Sequence, residues 1–221
     1  RVRHDTWTRS DALLAADGGI PRALAGRDLA LGPYPVASQF SRAVFETDAD
    51  AYVLTIQPDV ATCLFRHRQD GFPLMAYDNE TWPERDRQWL RDEFEPVGLL
   101  DVDASMENLA AIAGRLAARS GAPVLVYNVS SIVPGDTVYC YAGMDETLAT
   151  RIRRFNVALS DLSQRTGISI VDVDAVIARA GADRLKLDVF HLNDEGCRLV
   201  ATEAVRVLDD LGVLPPRVAA R

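Results

Sequence analysis

Three short runs of continuous apolar residues rich in β-branched side chains stand out along the chain: residues 51–56 (AYVLTI), 123–129 (PVLVYNV) and 168–173 (ISIVDV). Their hydrophobicity does not alternate, which predicts strands covered on both faces, the habit of parallel strands flanked by helices. A shorter run, 28–31, is a further candidate strand. Between and beyond these runs apolar residues return at helical spacing over 36–47, 105–119, 145–165 and 194–211. Stop signals support two of these helices: Ser120-Gly121 before Pro123, and Gly167 after 145–165. Strand and helix therefore alternate, and the pattern predicts an α/β protein. Its architecture is a three-layer α/β/α sandwich around a central, mainly parallel sheet, flavodoxin-like in layout.

Residues 60–104 break this rhythm with Phe65, Phe72, Tyr77, Trp82, Trp89 and Phe94 interspersed with Pro73, Pro83 and Pro96. They read as an insertion leaving the end of a strand, where open α/β sheets bind ligands, and so as a lid, a substrate wall or a structural flap. No linker-like stretch divides the chain, so residues 1–221 are expected to form one domain carrying this insertion.

Composition narrows the function classes. A formal charge of −8 opposes binding to phosphate backbones, and the densest basic cluster is Arg151, Arg153 and Arg154 on a predicted helix, so nucleic acid is not an expected partner. No stretch reaches the roughly 18 apolar residues of a membrane span, and no membrane partner is expected. Cys63, Cys140 and Cys197 are odd in number and widely spaced. They predict neither a disulfide framework nor a zinc site, and a reducing, cytoplasmic compartment is the simpler expectation. The first residue is Arg1, which leaves an upstream segment open. His4, His67 and His191 are scattered, and there is no Walker A loop or strand-linked GxGxxG, so no metal or nucleotide cofactor is expected.

The most informative stretch runs from Leu187 to Ala201, LDVFHLNDEGCRLVA. It places Asp188 three residues before His191, on a loop ahead of the last helix, with Asn193 or Asp194 as its N-cap. A carboxylate so close to an imidazole can accept its Nδ1 proton, fix the tautomer and stabilise the imidazolium that forms when the ring takes a proton. An Asp and a His can also share a loop merely as cap and surface residue.

The run resembles the last block of the SGNH (GDSL-like) hydrolases, DxxHxNxxGxxxxA, through Asp188, His191, Asn193, Gly196 and Ala201. The order of strands and helices over about 28–211 is similar to theirs as well. The resemblance implies an ester hydrolase or acyl transferase with a serine nucleophile, His191 as base and Asp188 orienting it, acting on a small-molecule or carbohydrate ester. The GxND block of that superfamily corresponds to Ile56-Gln57-Pro58-Asp59, in which Asp59 matches and the Gly and Asn do not. Gln57 offers a carboxamide there, whereas Pro58 has no N–H. The oxyanion glycine falls at Gly32, which also reads as a turn residue between Leu31 and Pro33.

No GDS occurs in the chain; Ser10 has the right order relative to Gly32 and Asp59 but also reads as a helix N-cap. Asn128, Ser130 and Ser131 end a strand and either line the pocket or make turn bonds, while Asp174 reads as a helix cap. The missing GDS and altered GxND keep a second class open: a catalytically silent SGNH-like domain that binds a carbohydrate, an acyl group or a protein. A third reading is a domain of a larger biosynthetic enzyme. Oligomeric state is not legible here.

Overall fold

A computed structural model of the chain describes residues 2–4, 6, 8–31, 34–76, 82–132 and 145–215. Its elements, in chain order, are α1 (Ser10–Ala15), a 3-10 turn (Arg22–Leu24), α2 (Val36–Gln39), α3 (Ala43–Glu46), β1 (Tyr52–Thr55), α4 (Gln57–Ala61), β2 (Leu64–His67) and β3 (Pro73–Leu74). There follow α5 (Glu84–Glu93), β4 (Phe94–Val97), α6 (Val102–Ser120), β5 (Val124–Tyr127), α7 (Leu148–Thr166), β6 (Ser169–Val171), α8 (Val173–Ala180), α9 (Ala182–Leu185) and α10 (Asp194–Asp210). The chain divides into two compact units: one of residues 1–47 and 58–112, the other of 48–57 and 113–221.

The second unit carries the parallel sheet that the three apolar runs predict, in the order β1, β5, β6. Tyr52 pairs with Val124 and Leu125 with Ser169. Leu125 and Val126 point to opposite faces of β5, yet neither has any exposed surface. Both faces are therefore covered, and continuous hydrophobicity is the sequence's record of that α/β layering. On one face Leu125 and Val171 pack against Ala204 and Val207 of α10. Thr147 caps α7 by accepting from the Thr150 N–H, and Gly167 ends it at φ 74°, a left-handed conformation that a Cβ would strain. Arg151 of that helix is buried with its guanidinium over the Phe155 ring, while Arg154 pairs with Glu146 at 2.9 Å.

The first unit holds an antiparallel sheet, β3, β2, β4, built from the segment expected as an insertion. Phe94, Leu74, Trp82 and Leu90 form its core with Leu24, Leu31 and Phe40 from upstream. Two expectations are corrected here. Residues 28–31 are not a strand: Leu29 and Leu31 pack into this core and the Ala30 carbonyl accepts from Trp82 Nε1 at 3.1 Å rather than from a neighbouring strand. The helix expected over 36–47 is broken into α2 and α3. The Phe40 carbonyl accepts from the Gly18 N–H, and Ser41 Oγ accepts from the Ala43 N–H to start the second helix.

Candidate functional site

The loop joining α9 to α10 is closed at its base by backbone bonds. The Leu187 N–H donates to the His191 carbonyl and the Asn193 N–H to the Leu185 carbonyl, both at 2.8 Å. Asn193 is the N-cap of α10: its Oδ1 accepts from the Gly196 N–H at 3.0 Å while its Nδ2 donates to the Arg184 carbonyl at 2.7 Å. A Cβ on Gly196 would lie 3.1 Å from both the Leu185 carbonyl oxygen and Leu192 Cβ, so any side chain there would push the returning loop away from the helix start. The Asn and Gly of the motif thus have structural work: they fix where the loop leaves and re-enters the helices.

Within this loop the Asp188 carboxylate is used twice. Its Oδ1 accepts the backbone N–H groups of Phe190 and His191 at 2.8 Å each, and its Oδ2 lies 2.7 Å from His191 Nδ1. Burial by itself raises the carboxyl's pKa, but the His191 backbone N–H, the His191 ring and the Phe190 N–H outweigh it and hold the group at about 2. An ionised carboxylate only accepts, so the shared proton sits on Nδ1, and in the neutral ring Nε2 carries the lone pair. That is the tautomer a general base needs. Both side chains are open to solvent, 69% for His191 and 55% for Asp188.

Asn128, at the exit of β5, is buried, and its carboxamide bridges the start of α8: Nδ2 donates to Asp172 Oδ1 at 2.8 Å and Oδ1 accepts from the Asp174 N–H at 3.1 Å. Asp172, not Asp174, is the cap of α8, accepting from the Ala175 N–H. The sequence reading of Asp174 as the cap is corrected: helix α8 begins two residues earlier than that reading placed it, which frees Asp174 to accept from the Ser131 N–H at 2.7 Å and from its hydroxyl at 3.2 Å. Gln57 opens α4, its N–H donating to Thr55 Oγ1 at 3.2 Å.

In the first unit Ser10 is the first residue of α1, and Arg9 occupies the cap position, so the N-cap reading of Ser10 is corrected. Ser10 has no exposed surface; its N–H donates to Asp59 Oδ1 at 2.7 Å and its hydroxyl accepts from Asn108 Nδ2 at 3.1 Å. Asp59, equally buried, also accepts from Ser105 Oγ at 2.5 Å. Burial raises its pKa, with the hydrogen bonds from Ser10 and Ser105 pulling the other way. Gly32 lies outside the described residues. Among the described residues no three His, Cys, Asp or Glu side chains are grouped so as to hold a metal ion, and no helix is long and apolar enough to cross a membrane.

The structure therefore brings Asp188 to His191 and Asp59 to Ser10, each within one unit. It also reveals polar residues the sequence reading passed over. Asn108 and Ser105 serve the Ser10 and Asp59 cluster, and Asn156 grips both the N–H and the carbonyl of Val129, at 3.2 and 2.8 Å. Lys186 sits buried between two leucines just ahead of the motif, which was the one available signal for it.

No protein-family model matches the chain, and no curated protein matches it. Solved structures do. An acetyl-xylooligosaccharide esterase from Geobacillus Stearmophilus is similar at 12% identity and a TM-score of 0.50, over 81% of this chain and 66% of that one. A member of the lipolytic G-D-S-L family from Veillonella parvula is similar at 17% identity and a TM-score of 0.39, over 56% of this chain and 59% of that one. A lipase/acylhydrolase from Enterococcus faecalis is similar at 18% identity and a TM-score of 0.41, over 55% and 57%. The chain spans about three fifths of the length of these last two. The fold is α/β, with a parallel sheet flanked by helices, and it is similar over four fifths of the chain to that of the Geobacillus esterase.

Proposed function

We propose that this chain is an SGNH-like hydrolase or acyl transferase acting on an ester, with His191 as general base and Asp188 as the residue that orients it. The observation that carries the reading is the 2.7 Å contact between His191 Nδ1 and an Asp188 carboxylate whose other oxygen is locked by two backbone N–H groups. In the proposed reaction Nε2 takes the proton of a serine hydroxyl as its Oγ bonds to the ester carbonyl carbon. The resulting imidazolium, stabilised by ionised Asp188, gives that proton to the departing alkoxide as the ester C–O bond breaks. Water then releases the acyl group as an acid, or an acceptor hydroxyl takes it as a new ester, with the same ring moving the proton.

Ser10 is the serine proposed for this role, through its chain order ahead of Gly32 and Asp59; Gln57 and Gly32 are proposed to face the oxyanion, and Asn128 the substrate. The esterase of similar fold is named for acetyl-xylooligosaccharides, and a carbohydrate ester is the substrate class to test first, beside p-nitrophenyl acetate. A fluorophosphonate probe followed by peptide mapping tests the nucleophile. Labelling of Ser10 supports the assignment, and labelling of another serine moves the role to that residue.

A second reading, a catalytically silent SGNH-like domain that binds a carbohydrate, an acyl group or a protein, has its own support. Ser10 is wholly enclosed, with its hydroxyl and amide engaged by Asn108 and Asp59, and Pro58 stands where an oxyanion donor would. Correctly folded protein that neither labels nor turns over ester favours that reading.

A further inference from the structure

The exit of β5 is gripped along its length. Asn128 is tied to Asp172 and the Asp174 N–H, Val129 to Asn156, and Ser131 to Asp174. The carbonyls of Ser130 and Ile132 accept from Lys186 Nζ at 3.4 and 2.6 Å. Lys186 is also the base of the loop that carries Asp188 and His191, bridged to Leu192 across it. Its side chain is buried while residues 187 and 188 just beyond it are exposed. A long, flexible side chain loses much rotamer freedom when fixed, so a lysine buried here needs a structural return. It obtains one by joining this loop to a segment that the side chains of Asp172, Asn156 and Asp174 hold in place.

We propose that Lys186 is a positioning residue, which holds the Asp188 and His191 pair in register by anchoring the base of its loop to the Ser130 and Ile132 carbonyls. The inference rests on the reading of His191 as a base. Two further facts fit it. Burial lowers the Lys186 pKa from 10.5 to about 8, and the nearby carboxylates of Asp174 and Asp188, the charged groups that act on it, only partly offset this. The anchor is therefore a cation at neutral pH and a weaker, neutral donor at moderately alkaline pH. Asp188 is thus coupled to Lys186 both through the loop and through charge.

The test is carried out on the full chain by ¹⁵N NMR of the histidine rings, of which there are three, His4, His67 and His191. Wild-type His191 is expected in a single tautomer with the proton on Nδ1. Lys186→Met is expected to mix the tautomers and Lys186→Arg, which keeps a cation and N–H donors, to restore the wild-type signature. If the wild-type turns over ester, Lys186→Met lowers kcat about tenfold or more while KM stays within about twofold, as for a misplaced base rather than a lost binding contact. A folded Lys186→Met chain with unchanged His191 ring signals overturns the proposal. If that variant does not fold, Lys186→Gln, which keeps N–H donors on a shorter side chain, decides: mixed His191 tautomers in the folded Lys186→Gln chain support the anchor, and wild-type ring signals overturn it. The NMR arm needs no turnover, so a wild-type without esterase activity contradicts the function and leaves this measurement decisive for Lys186.

Discussion

His191 Nδ1 and Asp188 Oδ2 lie 2.7 Å apart, and the backbone N–H of the same His191 donates to the other oxygen of the same carboxylate at 2.8 Å. The two residues thus fix each other's main chain and side chain at once. These bonds are local to one turn, whose base is tied through Lys186 to the Ser130 and Ile132 carbonyls.

That arrangement has a definite pH dependence. Asp188 has a pKa of about 2 in the folded chain against an ordinary value of 3.8, so its bonds contribute stability above 3.8 and lose it as pH falls towards 2. Exposure keeps the contribution small. Thermal unfolding of wild-type and Asp188→Asn chains should differ at neutral pH and converge as pH falls through that window; a difference that persists at the acid end contradicts the assignment.

Asp59 behaves in the opposite sense. Burial raises its folded pKa above 3.8, so above that value the folded chain holds protons that the unfolded chain has lost, and stability falls as pH rises through the window. Urea unfolding across this range should show Asp59→Asn gaining on wild-type with rising pH. A constant difference contradicts the buried carboxyl as the cause.

Gly196→Ala should cost about 1–3 kcal/mol, as overpacking does, because its Cβ meets the Leu185 carbonyl and Leu192 at 3.1 Å. The same urea series measures it, and an unchanged midpoint contradicts the close approach.

Ser130 carries a buried hydroxyl without a hydrogen-bond partner among the described residues. Leaving such a group unsatisfied costs about 1–3 kcal/mol, so Ser130→Ala should be neutral or stabilising by up to about 1 kcal/mol. A clear loss of stability would reveal a bond to Ser130 Oγ.

The parallel sheet was legible in the sequence because buried parallel strands leave a continuous apolar run, as in 123–129, and the loop of Asp188 and His191 was legible because its parts lie within ten residues. The antiparallel sheet of the first unit was not. Its strands are two to four residues long, and Leu64, Phe65, Arg66 and His67 show burial without clean alternation. Helix 36–47 misled because its period is right while its bonds go elsewhere: the Phe40 carbonyl goes to Gly18, a partner that sequence spacing does not disclose. Lys186, Asn108 and Asn156 escaped for the same reason, since a polar residue's distant backbone or side-chain partner is set by tertiary packing.

The measurement that bears most directly on the account is kcat of His191→Ala against p-nitrophenyl acetate, with circular dichroism and thermal unfolding of the same preparation. The ring is 69% exposed and contributes little to the core, so folding should be retained while kcat falls by about 10²- to 10⁴-fold, the usual contribution of a general base. A folded His191→Ala chain with wild-type kcat would contradict the assignment of His191 as the base.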